Sequence, residues 1–140
     1  LHMFDLSEIP GTATIEEALL KIYVYEVTSG TPQISAYRII TSWVESEVTY
    51  NKADSSTDWG TAGMQSGTDY AATAVDTSSS VSGAGWVTID LTDLVQDWVD
   101  STYSNYGVML KLSSAGHLKT RMAEYTTSTY RPKLEVTYSD

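Results

Sequence analysis

Two short stretches carry a period-2 alternation of side chains, and that alternation constrains the fold more than any other feature. Leu20, Ile22 and Val24 alternate with Lys21, Tyr23 and Tyr25, while Val87, Ile89 and Leu91 alternate with Trp86, Thr88 and Asp90. Successive side chains of a strand point to opposite faces, so this period of two predicts strands with one face buried and the other wet. Similar extended segments are predicted over 1–6, 33–40, 48–50, 69–76, 106–112, 118–125 and 132–138, separated by turns such as Ser29-Gly30-Thr31-Pro32 and by the Gly- and Ser-rich run 77–85. The strands at 20–25 and 33–40 are expected to form an antiparallel pair across that Gly-Pro turn. Residues 41–45 predict a single capped helical turn.

Only one window carries a helical period. Leu91, Leu94, Val95, Trp98 and Val99 follow the i, i+3, i+4, i+7, i+8 spacing of one apolar face. The helix is predicted over 92–100, with Thr92 as N-cap and Asp93 favoured by the helix dipole. About eight strands and one short helix, without alternating helices, point to an all-β, jelly-roll-like antiparallel sandwich. No internal repeat or linker divides the 140 residues, which suit a single domain.

Composition narrows the function classes. Cysteine is absent, which removes disulfides, thiolate metal sites and cysteine nucleophiles. A formal net charge of -10 argues against a nucleic-acid partner, because phosphate binding needs clustered Lys and Arg. No apolar run approaches the length of a transmembrane segment. Richness in Ser, Thr, Tyr and Gly with few Lys leans toward an extracellular or cell-surface protein.

Catalysis needs a constellation of groups, and none assembles. Of the two histidines, His2 falls in the first expected strand and His117 beside Gly116 in a turn, and both are read as surface or edge residues. No Ser lies in a G-x-S-x-G elbow, and phosphate loops, H-E-x-x-H and EF-hand patterns are missing. The expectation is a non-catalytic domain. Calcium is the one cofactor that the composition favours, since Asp- and Gly-rich loops supply hard oxygen ligands. Candidate ligands are Asp54 and Asp58 in the long polar loop 51–68, and Asp90 and Asp93 at the helix entrance, where capping competes as an explanation.

Sugar binding would use exposed aromatic faces beside polar groups. Trp59 in the long loop, with Tyr50 and Tyr70 flanking it, is the first candidate cluster, and Tyr103 with Tyr106 the second. Trp43, Trp86 and Trp98 are read as core packing because each lies in a periodic segment. Trp59 lacks such a period and is open to either reading.

Several segments resemble the DNRLRE domain family: Phe4-Asp5-Leu6-Ser7-Glu8-Ile9-Pro10, the stretch 13–25, Tyr37-Arg38-Ile39-Ile40 with Trp43, Glu47-Val48-Thr49-Tyr50-Asn51, the helix segment 89–98, Asn105-Tyr106-Gly107 and the closing Arg131-Pro132-Lys133-Leu134-Glu135-Val136-Thr137-Tyr138. The likeness covers nearly the whole chain in order. It implies a jelly-roll-like accessory domain of secreted or surface proteins in bacteria and archaea, with some relatives grouped among carbohydrate-binding modules. Tyr50 stands where that family's pattern has Trp. The family's usual N-terminal strands lie outside the match, so the expectation is either that this part was cleaved or disordered, or that a neighbouring subunit completes the sandwich by strand exchange. The leading expectation is therefore a structural or adhesive surface protein, self-associating into a filament or sheath. The alternative is a carbohydrate-binding module that takes a polysaccharide.

Overall fold

The computed structural model describes residues 1–112, 115–121 and 125–140. It is an all-β sandwich: strands β1 (Thr14–Gly30), β2 (Ile34–Arg38), β3 (Asp76–Thr77), β4 (Gly85–Asp90), β5 (Val108–Leu112), β6 (Gly116–Thr120) and β7 (Lys133–Ser139), with one helix, α1 (Thr92–Val99). β1 is the spine of the larger sheet. β4 pairs antiparallel with one of its edges, while β7 and then β6 pair in series along the other. The smaller sheet runs β3-β2-β5.

The expected alternation holds in β1 and β4. Ala18, Leu20, Ile22 and Val24 are buried with Val87 and Ile89, and they meet Ile34, Ala36 and Val108 of the smaller sheet in the main core. A register shift between Ile15 and Glu17 changes the phase, so Ile15 also points inward. α1 adds Leu94, Val95 and Trp98 to this core. Its side chains also bond the part of β1 that β4 does not reach. The Thr92 hydroxyl accepts the Ala18 N–H at 3.0 Å, and Gln96 accepts from the Ile15 N–H at 2.7 Å and donates to the Ala13 carbonyl at 3.2 Å. Leu91, not Thr92, occupies the N-cap, because the Thr92 hydroxyl is drawn to β1 and to Asp90.

Other expectations change. β1 and β2 do not pair with each other. The buried Pro32 and Gly30, whose φ is +66°, turn the chain across from one sheet to the other. The segment 1–6 makes one antiparallel bridge, His2 to Val108, in place of a strand. That bridge is set by the Asn105-Tyr106-Gly107 run. Asn105 donates to the Phe4 carbonyl at 2.9 Å and accepts the Gly107 N–H, and a Cβ on Gly107 (φ +77°) would run into the His2 carbonyl. Residues 48–50 are irregular, the turn expected at 41–45 lies at 45–47, and 69–76 holds Tyr70, bridged to Ile39 and Ser66, and the start of β3. Of the strand expected at 118–125, β6 covers the beginning, and residues 122–124 lie outside the described residues.

The long polar loop folds over a second, smaller core of Ile39, Trp43, Ala53 and Trp59. Asp69, 2% exposed, organises it. One carboxylate oxygen accepts the N–H groups of Gly60 and Gln65 at 2.9 and 2.6 Å, and the other accepts the Thr41 hydroxyl at 3.2 Å. Among the described residues no helix is long and apolar enough to cross a membrane.

Candidate functional site

Burial reassigns the aromatic residues. Trp59 is only 5% exposed, and its indole N–H donates to the Thr49 carbonyl at 2.9 Å, so it packs the second core and presents no stacking face to solvent. Tyr70 is likewise buried, edge-on to Tyr37 at 5.3 Å. Tyr50 is well exposed but stands apart from Tyr70, its ring lying over Gly63, where a Cβ would come within 2.6 Å. The second expected pair also separates. Tyr103 is exposed and carries the Arg38 guanidinium 3.7 Å from its ring centre, whereas Tyr106 packs against the second core.

The exposed aromatic surface lies elsewhere, on the outer face of the larger sheet. Trp86 is 39% exposed, although it belongs to a strand. It faces outward with Thr88 and Asp90 and is directly paired with Tyr23 of β1. The Trp86 and Tyr23 rings meet edge-to-face at 5.3 Å, and Tyr130, on a 3-10 turn at Ser128–Tyr130, packs on Tyr23 at 4.5 Å. Tyr125 continues the strip at 6.4 Å from Tyr130. Arg121 then lies between Tyr25 and Tyr125, its guanidinium carbon 3.9 and 4.2 Å from the two ring centres. Such cation–π contacts hold aromatic planes in place at the surface. The Lys133 ammonium sits 4.8 Å over Trp86.

Polar groups border the strip. Lys21 pairs with Glu135 at 2.8 Å and Lys119 with Glu26 at 3.0 Å. The hydrogen bond from Lys21 holds the Glu135 carboxyl below its ordinary value, and that to Glu26 raises Lys119. At the Trp86 end, the loop before β4 forms a cavity of about 380 Å³ whose lining includes Ser79, Ser80, Ser82, Gly83, Trp86 and Thr88. Flat apolar faces with hydroxyl and charged groups at their edges suit a ligand that is itself apolar on one face and polar at its rim.

The sequence carried the signal for half of this strip. Trp86 shares its strand face with polar Thr88 and Asp90, and Tyr23 and Tyr25 share theirs with Lys21, so the same alternation that marks the core also marks the outside. Tyr130 lies in no predicted strand and Tyr125 at the very end of the one expected at 118–125, and only the tertiary fold brings them in.

The acidic candidates are engaged locally. One Asp54 oxygen accepts from the Ser56 N–H, the Ser56 hydroxyl and the Thr57 N–H, closing its own turn, and the Ser56 backbone bond leads in lowering its pKa. Asp58 pairs with Lys52 at 2.8 Å. Asp90 accepts both the hydroxyl and the N–H of Thr92, which lowers its pKa, the hydroxyl bond first. Asp76, Asp90 and Asp93 line a small cavity of about 150 Å³, where Asp76 already accepts the Asp90 N–H at 2.8 Å. Among the described residues no three metal-ligating side chains converge.

The model of the family described as disaggregatase related repeat domain matches residues 1–136. The chain belongs to this family. No curated protein and no solved structure matches it. The family is a different one from the DNRLRE domain, so the likeness to the latter is one of motifs. Two of those motifs have physical roles in this repeat domain: Gln96 bonds the backbone of β1, and Asn105 with Gly107 holds the His2 segment.

Proposed function

We infer that this repeat domain is a non-catalytic glycan-binding module of an extracellular or cell-surface protein. The observation that carries the reading is the solvent-facing strip of Trp86, Tyr23, Tyr130 and Tyr125, continued by Tyr25 and bordered by Lys133, Arg121 and Glu135. A pyranose ring has apolar C–H faces and a hydroxyl rim. Stacked aromatic rings desolvate the faces while the polar border bonds the rim. The composition, poor in Lys and rich in Ser, Thr and Tyr, accords with export.

Retention on immobilised polysaccharides tests the reading. Trp86→Ala should reduce retention by roughly thirtyfold, about 2 kcal/mol, as for a central aromatic anchor. Retention equal to the parent's would discard the strip as the site.

A second observation favours a structural role. An apolar cleft of about 260 Å³ opens between the sheets, lined by Leu1, Ile22, Ile34, Leu110, Leu112 and Leu118 among others, and beside it the outer edge of β5 is bonded through the His2 bridge. A strand from a second copy, added to that edge, would fill the cleft and link subunits. Light scattering decides: particles of many subunits support strand exchange, and a monomer removes it.

A further inference from the structure

The cavity beside Trp86 is built into the loop joining β3 to β4 and is held open by the backbone. The Ser78 N–H donates to the Ile34 carbonyl and the Val81 N–H to the Pro32 carbonyl, both at 2.8 Å. The buried Ser78 hydroxyl accepts the Ile34 N–H at 3.0 Å and donates to the Ser79 carbonyl. The loop is thus fastened to β2 at its start and to the turn before β2 at Val81. Between Val81 and Trp86 the chain carries only Ser82, Gly83, Ala84 and Gly85, and a Cβ added to Gly83 or Gly85 would meet nothing within 4 Å. The volume of about 380 Å³ lies near the lower end of the range for small-ligand sites, roughly 300–1,000 Å³. Trp86 belongs both to this cavity and to the aromatic strip.

Resting on the glycan reading above, we propose that the cavity is the specificity subsite of the strip: it takes one sugar unit, stacked against Trp86 with its hydroxyls toward Ser79, Ser80 and Ser82. The two parts divide the work. Aromatic faces grip many pyranoses alike, because every such ring has an apolar face. A preformed wall of hydroxyls discriminates, because a sugar of the wrong configuration leaves polar groups unpaired. Gly83 lines this space and puts no side chain of its own into it.

Calorimetric titration of the parent domain with hexasaccharides of cellulose, chitin, xylan, mannan and galactan tests this, with retention on each polymer measured alongside. Gly83→Leu places a bulky side chain on the cavity wall, at a position with room for one. It should weaken the preferred hexasaccharide by roughly tenfold or more and flatten selectivity across the set, while the melting temperature stays that of the parent. Should Gly83→Leu disturb the fold, the Ser80→Ala/Ser82→Ala double variant removes two exposed hydroxyls and should flatten selectivity in the same way. Tyr130→Ala, outside the cavity, should weaken all bound sugars by a similar factor. Parent-like affinity and selectivity in Gly83→Leu, or in the double variant where that one misfolds, overturns the subsite and leaves the strip standing. No binding by the parent to any probe, or undiminished binding by Trp86→Ala, overturns the glycan reading and the subsite with it.

Discussion

Trp59 and Trp86 lie in opposite environments: the structure buries the first, which the sequence left open, and exposes the second, which the sequence read as core. Trp59 sits in a polar, glycine-bearing loop and is buried, while Trp86 sits in a regular strand and is exposed. The difference lies in what holds each backbone. Trp86 is fixed by the ladder to β1, which dictates that alternate side chains face out whatever their hydrophobicity. Trp59 is fixed by individual bonds, its N–H to the Asn51 carbonyl and its indole to Thr49, within a loop gathered around Asp69. A large aromatic residue in a long loop packs where the loop can close over it, and one on a strand face is left outside if nothing covers that sheet.

The largest effect should come from exchanging each Trp for Ala. Trp59→Ala empties the second core and is expected to cost about 3–5 kcal/mol in denaturant-midpoint measurements. Trp86→Ala should cost less than about 1 kcal/mol of stability while reducing glycan retention by roughly thirtyfold. Equal losses of stability would erase the contrast between interior and face. Asp69→Ala comes next. It takes the buried carboxylate acceptor from the N–H groups of Gly60 and Gln65 and from the Thr41 hydroxyl, for about 1–3 kcal/mol. Exchange at those two amides should accelerate while that of Val87 in β4 stays slow; uniform acceleration would mean that the loop core and the sheets unfold as one unit.

The smallest effects are in pH. Burial pushes His2 down to about 4, so the folded state resists a proton that the unfolded chain accepts near 6.5. Stability from this group is full above pH 6.5 and falls as pH drops to about 4, by about 2 kcal/mol once its partial exposure is allowed for. Glu135 loses stability in the same direction, but at lower pH and because its charged form is favoured, where the charged form of His2 is penalised. The lowered value of Glu135 gives a contribution present above the ordinary carboxylate range and lost only as pH falls below it. His2→Gln should flatten the slope between pH 4 and 6.5 and leave the more acidic limb unchanged. A slope that survives the substitution would assign it to another group.

The main core was legible because Leu20, Ile22, Val24, Val87 and Ile89 announce their face by period alone, and α1 because Leu94, Val95 and Trp98 repeat at helical spacing. Pairing was less so. The Gly30-to-Pro32 turn reads the same whether it closes a hairpin or carries the chain between sheets, and it does the latter. The second core was illegible, since Trp43, Ala53 and Trp59 share no period and meet through Asp69 and isolated backbone bonds. Of the candidate site, Tyr23, Tyr25 and Trp86 could have been found by asking which side of each strand was left over. Tyr125 and Tyr130 could not, because their place depends on the path of the chain before β7.

The long first strand has a consequence for how the molecule comes into being. β1 is flanked by β4, β6 and β7, and Thr14 pairs with Ser139 near the other end of the chain. Almost nothing β1 needs is near it in sequence, so loop closure must come before reward, and folding is slow by topology. On the ribosome, β1 waits exposed until the last strand has been made. Where such repeats follow one another in a single polypeptide, each waiting β1 meets the β7 of its own copy in competition with that of its neighbour, and misassembly between copies is the characteristic hazard.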